Sequence, residues 1–515
     1  MFRVDTTANV AKANSQCDKT SRHNNRIEGT VGLLDDAGWH SKIFVGEWLK
    51  GGGGDAAVVE PATGEELGRL GRASVEDVAL ASKRAAEAQR EWAALPHSAR
   101  AAVLRKAGDL FQQHEEEISS WIIRESGGIP FKAGLEVHTA AEESYEAAAI
   151  ASHPTGEILR SEMPRLSFSR RVPAGVVGVI APFNFPLILS IRSVAPALAL
   201  GNAVILKPDP RTAVCGGVVL ARVFEEAGIP AGLLSVLPGG ADVGEALVKD
   251  PLVRIIAFTG STAAGRAVGS LAAQHLKRVH LELGGNSAMI IMDDADLEKA
   301  VAVGAFGSFA HQGQICMTTG RHLVDARVAD EYAALMVEHA NHLPVGDPKS
   351  GQVALGPLID AKQRDRVHAM VNETVSAGAT LAAGGTYEEL FYRPTVLTHV
   401  PTSSPAYAQE VFGPVAPIVS YGSLDEAVAM ASSSPYGLSL SILSGDGLRA
   451  LELASRIPSG AIHINDATPA DEATIPFGGI GDSGNGSRMG GLANLDAYTE
   501  TQWVTAQADI AFYPF

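Results

Sequence analysis

Cysteine is scarce in this chain: three in 515 residues, at Cys17, Cys215 and Cys316, with no CxxC pair. That spacing excludes a disulfide framework and a cysteine-built metal cluster, and no metal site is expected. Positive charge is also in short supply. Lys plus Arg number 41 against 58 Asp plus Glu, a formal net charge of −17, and the basic residues form no long cluster. Nucleic acid and anionic membrane are thereby set aside as main partners. No apolar run of membrane length is unbroken either. The most apolar stretch, Val172 to Leu206, is interrupted by Asn184, Arg192, Asn202 and four prolines, too many polar and helix-breaking positions for a span.

Residues 1–35 are polar and contain no apolar secretory core. Arg3, Lys12, Lys19, Arg22 and Arg26 are spaced as in a transit peptide, but Asp5, Asp18 and Glu28 count against one. The segment is expected to be a disordered extension or an over-long start. A reducing compartment, the cytoplasm, suits a free thiol.

What remains is an ordinary globular composition, 46% hydrophobic and 19% charged, long enough for two or three domains. Val78 to Leu95 and Ser98 to Ser119 show apolar residues at three-to-four spacing and predict amphipathic helices. Val176–Ile180, Ala203–Leu206, Leu233–Leu237 and Ile255–Thr259 are short β-branched runs, each followed by a Pro- or Gly-bearing turn and a helix-like segment. That alternation predicts a parallel sheet covered on both faces. Ala288–Met292, His322–Val324, Val415–Tyr421 and Gly460–Asn465 predict strands of a second unit, with Ala295–Phe309 as a helix. The junction is placed near Leu283-Gly284-Gly285, and Ser167–Val172 and Trp503–Ala508 alternate like antiparallel strands.

Gly313-Gln314-Ile315-Cys316-Met317-Thr318-Thr319-Gly320-Arg321 sets one cysteine among glycines and small polar residues. A sulfur nucleophile needs open approach and nearby backbone N–H groups, which glycine permits. Glu282 in LELGG and Asn184 in PFNFP could serve as base and oxyanion donor. Taken singly, each also fits a plain structural role: Asn184 as a turn residue between prolines, Glu282 as an acid at the end of a strand or helix. Phe258-Thr259-Gly260-Ser261, followed by Gly265, could be a simple strand-to-helix turn or a phosphate-facing helix start.

Together these residues resemble a known family. APFNFP around Asn184, ILKP with Lys207, FTGSTAAGR from Phe258, LELGG with Glu282, GQICMTTGR with Cys316, EVFGPV with Glu410 and IPFGG ending at Gly479 stand in the order of the NAD(P)-dependent aldehyde dehydrogenase superfamily. The likeness runs from about Ile43 to the C-terminus and is greatest to the benzaldehyde dehydrogenase group. It rests there on RSVAPALALGNAVILKPD, HQGQICMTTGRHLV, AIHINDATPADEATIPFGG and the YPF ending.

The resemblance implies an α/β fold: two Rossmann-like open parallel-sheet domains and a small β oligomerisation hairpin and tail. Residues 36–153 and 173–283 would form a discontinuous cofactor domain and 284–485 the catalytic domain. Segments 154–172 and 486–515 would serve self-association as a homodimer or homotetramer. It implies Cys316 as nucleophile, Asn184 as oxyanion donor and Glu282 as the base that hydrolyses a thioester. Members that acylate coenzyme A usually lack this carboxylate, so the presence of Glu282 points to a free acid as product.

It implies a dinucleotide held by Ile180, Ala181, Pro182, Phe183, Lys207, Pro210, Gly240, Gly244, Phe258, Thr259, Gly260, Ser261, Gly265, Leu283, Gly284, Glu410 and Phe412. Pro210, followed by Arg211, stands where NAD-preferring relatives often carry a glutamate, so NAD is expected with NADP open. Two other positions depart from the family: Asn286 replaces a common lysine and Met489 a second glutamate. Phe185, Leu189, Arg192, Ile315, Met317, Ile475 and Phe477 are expected around the substrate, with Arg192 paired to Asp466 or Asp471 or touching a polar ring substituent. The implied reaction is oxidation of an aromatic aldehyde such as benzaldehyde. Vanillin, salicylaldehyde or a broader range are alternatives, and a non-catalytic relative is the contrasting class.

Overall fold

Val176–Ile180, buried at all five positions, lies near the middle of a seven-stranded sheet. In spatial order the strands are Arg278–Glu282, Val253–Thr259, Val176–Ile180, Ala203–Lys207, Leu234–Val236, Lys42–Val45 and Trp48–Lys50. The first five run parallel, and Lys42–Val45 is antiparallel to both of its neighbours. The chain leaves Val176–Ile180 toward Ala203–Lys207 and later returns to its other side with Val253–Thr259. This reversal is a topological switch point, where open parallel sheets leave a crevice beyond the strand ends. Register places Ile180 opposite both Lys207 and Phe258, and Thr259 opposite Glu282. Four strands therefore deliver their last residues to one edge.

The structure, a computed structural model, describes residues 32–515, and Leu33–Phe515 pack as one unit. The expected extension of residues 1–35 falls, for 1–31, outside the described residues. Its last part is corrected. Leu33 and Leu34 are buried, and their N–H groups donate to the Glu117 carboxylate at 3.0 and 2.8 Å, so residues 33–35 belong to the folded unit. The second sheet runs Thr380–Ala383, Thr395–Thr398, Val415–Tyr421, Thr319–Asp325, Ser287–Ile291, Ser439–Leu443 and Ala461–Ile464. The chain passes from one sheet to the other across Leu283–Asn286. A three-stranded antiparallel sheet joins Gly156–Ile158, Leu166–Pro173 and Thr499–Ala506.

The predicted helix at Ser98–Ser119 is two helices, His97–Gln113 and Glu115–Ser126, broken at His114. Glu115, Glu116 and Glu117 favour a new N-terminus there, because carboxylates complement its dipole. Helix Pro130–Ile150 was not anticipated. It buries Lys132, Glu136 and Glu143 among alanines, so it lacks the polar outer face that periodicity detects. Among the described residues no helix is long and apolar enough to cross a membrane.

Helix Val75–Ala94 starts at a capping box: Ser74 Oγ accepts from Asp77 N and Asp77 Oδ2 from Ser74 N. Ser74→Ala should lower unfolding stability by about 1 kcal/mol, measured as a lower urea midpoint at unchanged slope; an unmoved midpoint would show the cap to be dispensable.

Candidate active site

Cys316 follows a strained approach. His311, Gln312 and Gly313 have φ of 46°, 56° and 65°, three left-handed residues in succession. Such backbone costs of order 1–3 kcal/mol per non-glycine residue and persists only when its surroundings hold it. Here two glutamines do so. Gln312 Nε2 donates to the carbonyls of Gly127 (2.9 Å) and Pro357 (2.8 Å), and Gln314 Oε1 accepts from Ile359 N (3.1 Å). A Cβ on Gly285 would lie 2.3 Å from the Cys316 carbonyl oxygen, so only glycine lets the loop sit against the link between the sheets. Burial, then Glu410, Glu282 and Asp471, push the Cys316 thiol up to about 12, with Arg192 opposing. At neutral pH the resting group is a thiol.

Asn184, buried at 3% exposure, lies between strand Val176–Ile180 and helix Pro186–Ala199. Asn184 and Cys316 share a cavity of about 600 Å³. Of the seven expected substrate-side residues, Phe185, Leu189, Arg192, Ile315, Met317 and Phe477 line it. Ile475 does not. Its carbonyl accepts from Phe477 N at 2.9 Å, and it serves the fold of its own loop. Phe131, Phe306, Phe309, His311 and Asp471 line the cavity without having been anticipated; aromatic residues on three separate segments carry no local signal of convergence. Arg192 pairs with Asp471 at 2.5 Å and also with Glu143 at 2.9 Å, while its guanidinium lies 5.2 Å from the Phe477 ring centre. Of the two acids considered for it, Asp471 is the partner. Its Nη2 has no hydrogen-bond partner among the described residues.

Glu282 ends strand Arg278–Glu282 and is buried. It is not part of that cavity's wall. Its Oε1 lies 2.9 Å from where a Cβ on Gly478 would be, so the carboxyl group rests beneath Gly478–Gly479. Neither oxygen has a hydrogen-bond partner among the described residues. Burial holds its pKa well above the usual carboxylate range, with Arg488, Arg192 and the nearby Gly479 N–H opposing. A buried acid displaced upward in this way is a candidate for proton transfer.

The remaining residues gather at the crevice beyond the first sheet. Ala181 N donates to Lys207 O, continuing the strand ends toward Pro182 and Phe183. Lys207 is buried, and its ammonium donates to Pro208 O at 3.3 Å and forms no ion pair among the described residues. Burial lowers its pKa, with Asp209 and Asp242 opposing. A Cβ on Gly244 would meet Lys207 and Ile180 at 3.5 and 3.8 Å, so glycine leaves the crevice floor open. Gly240 and Ser261 are the N-caps of helices Ala241–Lys249 and Thr262–Gln274, and Gly265 packs on Leu283.

On the far side Glu410 Oε1 accepts from Gly285 N at 3.1 Å, beside Gly284, and burial pushes Glu410 up to about 7. Phe412, at φ 54°, meets Phe183 edge-on at 5.9 Å. Arg211, next to Pro210, is bound to Asp209 (2.8 Å) and Asp360 (2.7 Å) and lies 4.2 Å from the Phe183 ring centre. Two helix N-termini, an ammonium without an ion pair and a glycine floor fit a dinucleotide pyrophosphate.

The chain matches the aldehyde dehydrogenase family over residues 48–504. It is 66% identical to a vanillin dehydrogenase of an Amycolatopsis species over 94% of this chain and all of that protein. It is 49% identical to a benzaldehyde dehydrogenase [NAD(+)] of Pseudomonas putida, over 93% of this chain and 98% of that protein. A crystal structure of a salicylaldehyde dehydrogenase from Pseudomonas putida G7, complexed with salicylaldehyde, superposes with a TM-score of 0.89 at 34% identity, covering 92% of this chain and 99% of that one. With the thiol, the amide and the buried acid carried on a fold shared over nearly the full length of these proteins, the chain belongs to the aldehyde dehydrogenase family.

Proposed function

We propose that this chain oxidises aromatic aldehydes such as benzaldehyde to the free carboxylic acid, with NAD as oxidant. The observation that carries this is the cavity of about 600 Å³ that opens on Cys316 and Asn184 and is walled by Phe185, Phe306, Phe309 and Phe477. A flat apolar ring gains burial against such walls. The relatives named for vanillin and benzaldehyde support the same class.

In this reading Cys316 Sγ attacks the aldehyde carbon after releasing its proton to solvent, and the oxygen becomes an oxyanion. The Asn184 amide and the Cys316 N–H donate to it; losing one such donor costs about 3–4 kcal/mol of barrier. A bound nicotinamide supplies the acceptor for the hydride that the tetrahedral carbon releases. The acyl group is then a thioester on Cys316. Glu282 takes a proton from water, the hydroxide attacks the thioester carbon, and the acid leaves as the thiolate returns. To reach that water, the Glu282 carboxylate has to move out from beneath Gly478–Gly479.

Lys207, Gly240, Gly244 and Ser261 would hold the adenosine and phosphate end, and Glu410 with Phe412 the nicotinamide end. Arg211 is already engaged by two carboxylates, which favours NAD over a 2′-phosphorylated cofactor. Residues 36–153 with 173–283 serve as the cofactor domain, and 284–485 as the catalytic domain. Segments 154–172 and 486–515 mediate a homodimer or homotetramer through the sheet that exposes Ile158, Leu166 and Trp503. A cytoplasmic location keeps the thiol reduced.

Cys316→Ala should abolish benzaldehyde oxidation without loss of fold, whereas Glu282→Gln should stop turnover after the first half. Rapid mixing of Glu282→Gln with benzaldehyde and saturating NAD is expected to give a burst of reduced cofactor approaching one per site. Mass spectrometry of the quenched protein should then find an acyl group on Cys316. Neither burst nor adduct would move Glu282 to activation of the thiol; normal turnover would remove it as the base.

Pro210→Glu should lower kcat/KM for NADP more than for NAD, because a carboxylate repels the 2′-phosphate and can bind a 2′-hydroxyl. The ratio of the two kcat/KM values measures this, and an unchanged ratio in a folded variant would show that position 210 does not face the ribose.

A further inference from the structure

Helix Pro186–Ala199 begins two residues after Asn184, and its N-cap, Phe185, makes no side-chain cap hydrogen bond. Its first position is proline, which has no N–H. The next two N–H groups, of Leu187 and Ile188, donate to Glu136 Oε2 at 3.0 and 3.4 Å. The cap thus comes from another helix, about fifty residues upstream. Glu136 is fully buried and paired with Lys132, one turn earlier on Pro130–Ile150. Lys132 Nζ also donates to Ser126 Oγ at 3.1 Å and lies 4.8 Å from the Phe185 ring centre. His311 packs against the same ring, edge-on at 5.3 Å. Asn184 itself makes no side-chain hydrogen bond among the described residues, although it is buried and faces the cavity. Nothing bonded to its own amide orients it, so its aim depends on how the Asn184-Phe185 backbone is held.

We infer that Glu136, neutralised by Lys132, is a positioning residue for Asn184: it anchors the start of the following helix and thereby fixes where the amide points. The carboxylate suits this position for two reasons. One oxygen can accept from two successive N–H groups, and a negative group at a helix N-terminus is favoured by the dipole. The ammonium of Lys132 offsets the cost of burying that charge. Phe185, held between Lys132 and His311, limits rotation of the segment on its other side. A displacement of about 1 Å at a donor can cost up to about a hundredfold in rate, so this cap would be felt in the chemical step rather than in binding. The inference rests on the proposed role of Asn184 as oxyanion donor.

The test is a double-mutant cycle of Glu136→Gln with Asn184→Ala, read as kcat and KM for benzaldehyde with NAD. Glu136→Gln should lower kcat about tenfold with KM changed less than about twofold. In the Asn184→Ala background the same substitution should change kcat by less than about twofold, because there is no amide left to misplace. The rate of Cys316 alkylation by iodoacetamide should be unchanged. An equal loss of kcat in both backgrounds would overturn the inference. So would a fall in alkylation rate that parallels kcat, or a variant that melts at lower temperature yet keeps wild-type kcat. If Glu136→Gln does not fold, Glu136→Asp keeps the charge for Lys132, shortens the reach, and makes the same measurement. An Asn184→Ala protein as active as wild type would instead sink the donor role itself.

Discussion

The close approach of backbone at Gly284-Gly285 is the constraint on which the site depends. A Cβ on Gly284 would lie 2.3 Å from Glu410 Oε2, and one on Gly285 would lie 2.3 Å from the Cys316 carbonyl oxygen. This short link carries the chain from the first sheet, which ends in Glu282, to the second, which begins at Ser287. Because neither residue has a side chain, three parts meet across it: the loop bearing Cys316, the Glu410 carboxylate and the end of the strand bearing Glu282. At Gly285 the nearest atom is backbone, so a larger residue there would push the Cys316 loop away.

Elsewhere in the interior the protein buries charge. Glu125, Glu136, Glu143 and Glu282 are all nearly inaccessible, and burial raises the pKa of each. Lys132 and Arg192 are sunk with them. The pairs do different jobs. Glu136 and Lys132 are satisfied by a helix start and a hydroxyl. Arg192 ties Glu143 on one helix to Asp471 on the loop that covers the cavity. Glu282 alone has no hydrogen-bonded partner among the described residues. A buried acid without one is costly in a purely structural role.

Much of this was legible in the residues. Alternating β-branched runs and turns gave away a parallel sheet, since strands buried on both faces have no polar alternation to hide. The ordered motifs, from PFNFP to IPFGG, identified the family. Elements with conflicting signals were harder. Ser98–Ser119 read as one helix because its apolar spacing continues across His114, where backbone geometry breaks. Pro130–Ile150 gave no amphipathic pattern because Lys132, Glu136 and Glu143 point inward.

The composition and motif order of this chain are sufficient to establish a thiol, an amide and a carboxylate of one family on an α/β frame, because those depend on residue identity and local spacing. Their resting states depend on distance through space. Folding alone withdrew Glu282 beneath Gly478–Gly479, left Ile475 outside the cavity and engaged Arg211 with two acids. It also placed Glu136 at a helix start some fifty residues away. A charged side chain in a sequence looks like a solvated one until its neighbours are known, and those neighbours come from segments up to about three hundred residues apart. Burial and partner distance, which set every proton affinity in the site, exist only once the two sheets have closed on the glycine link.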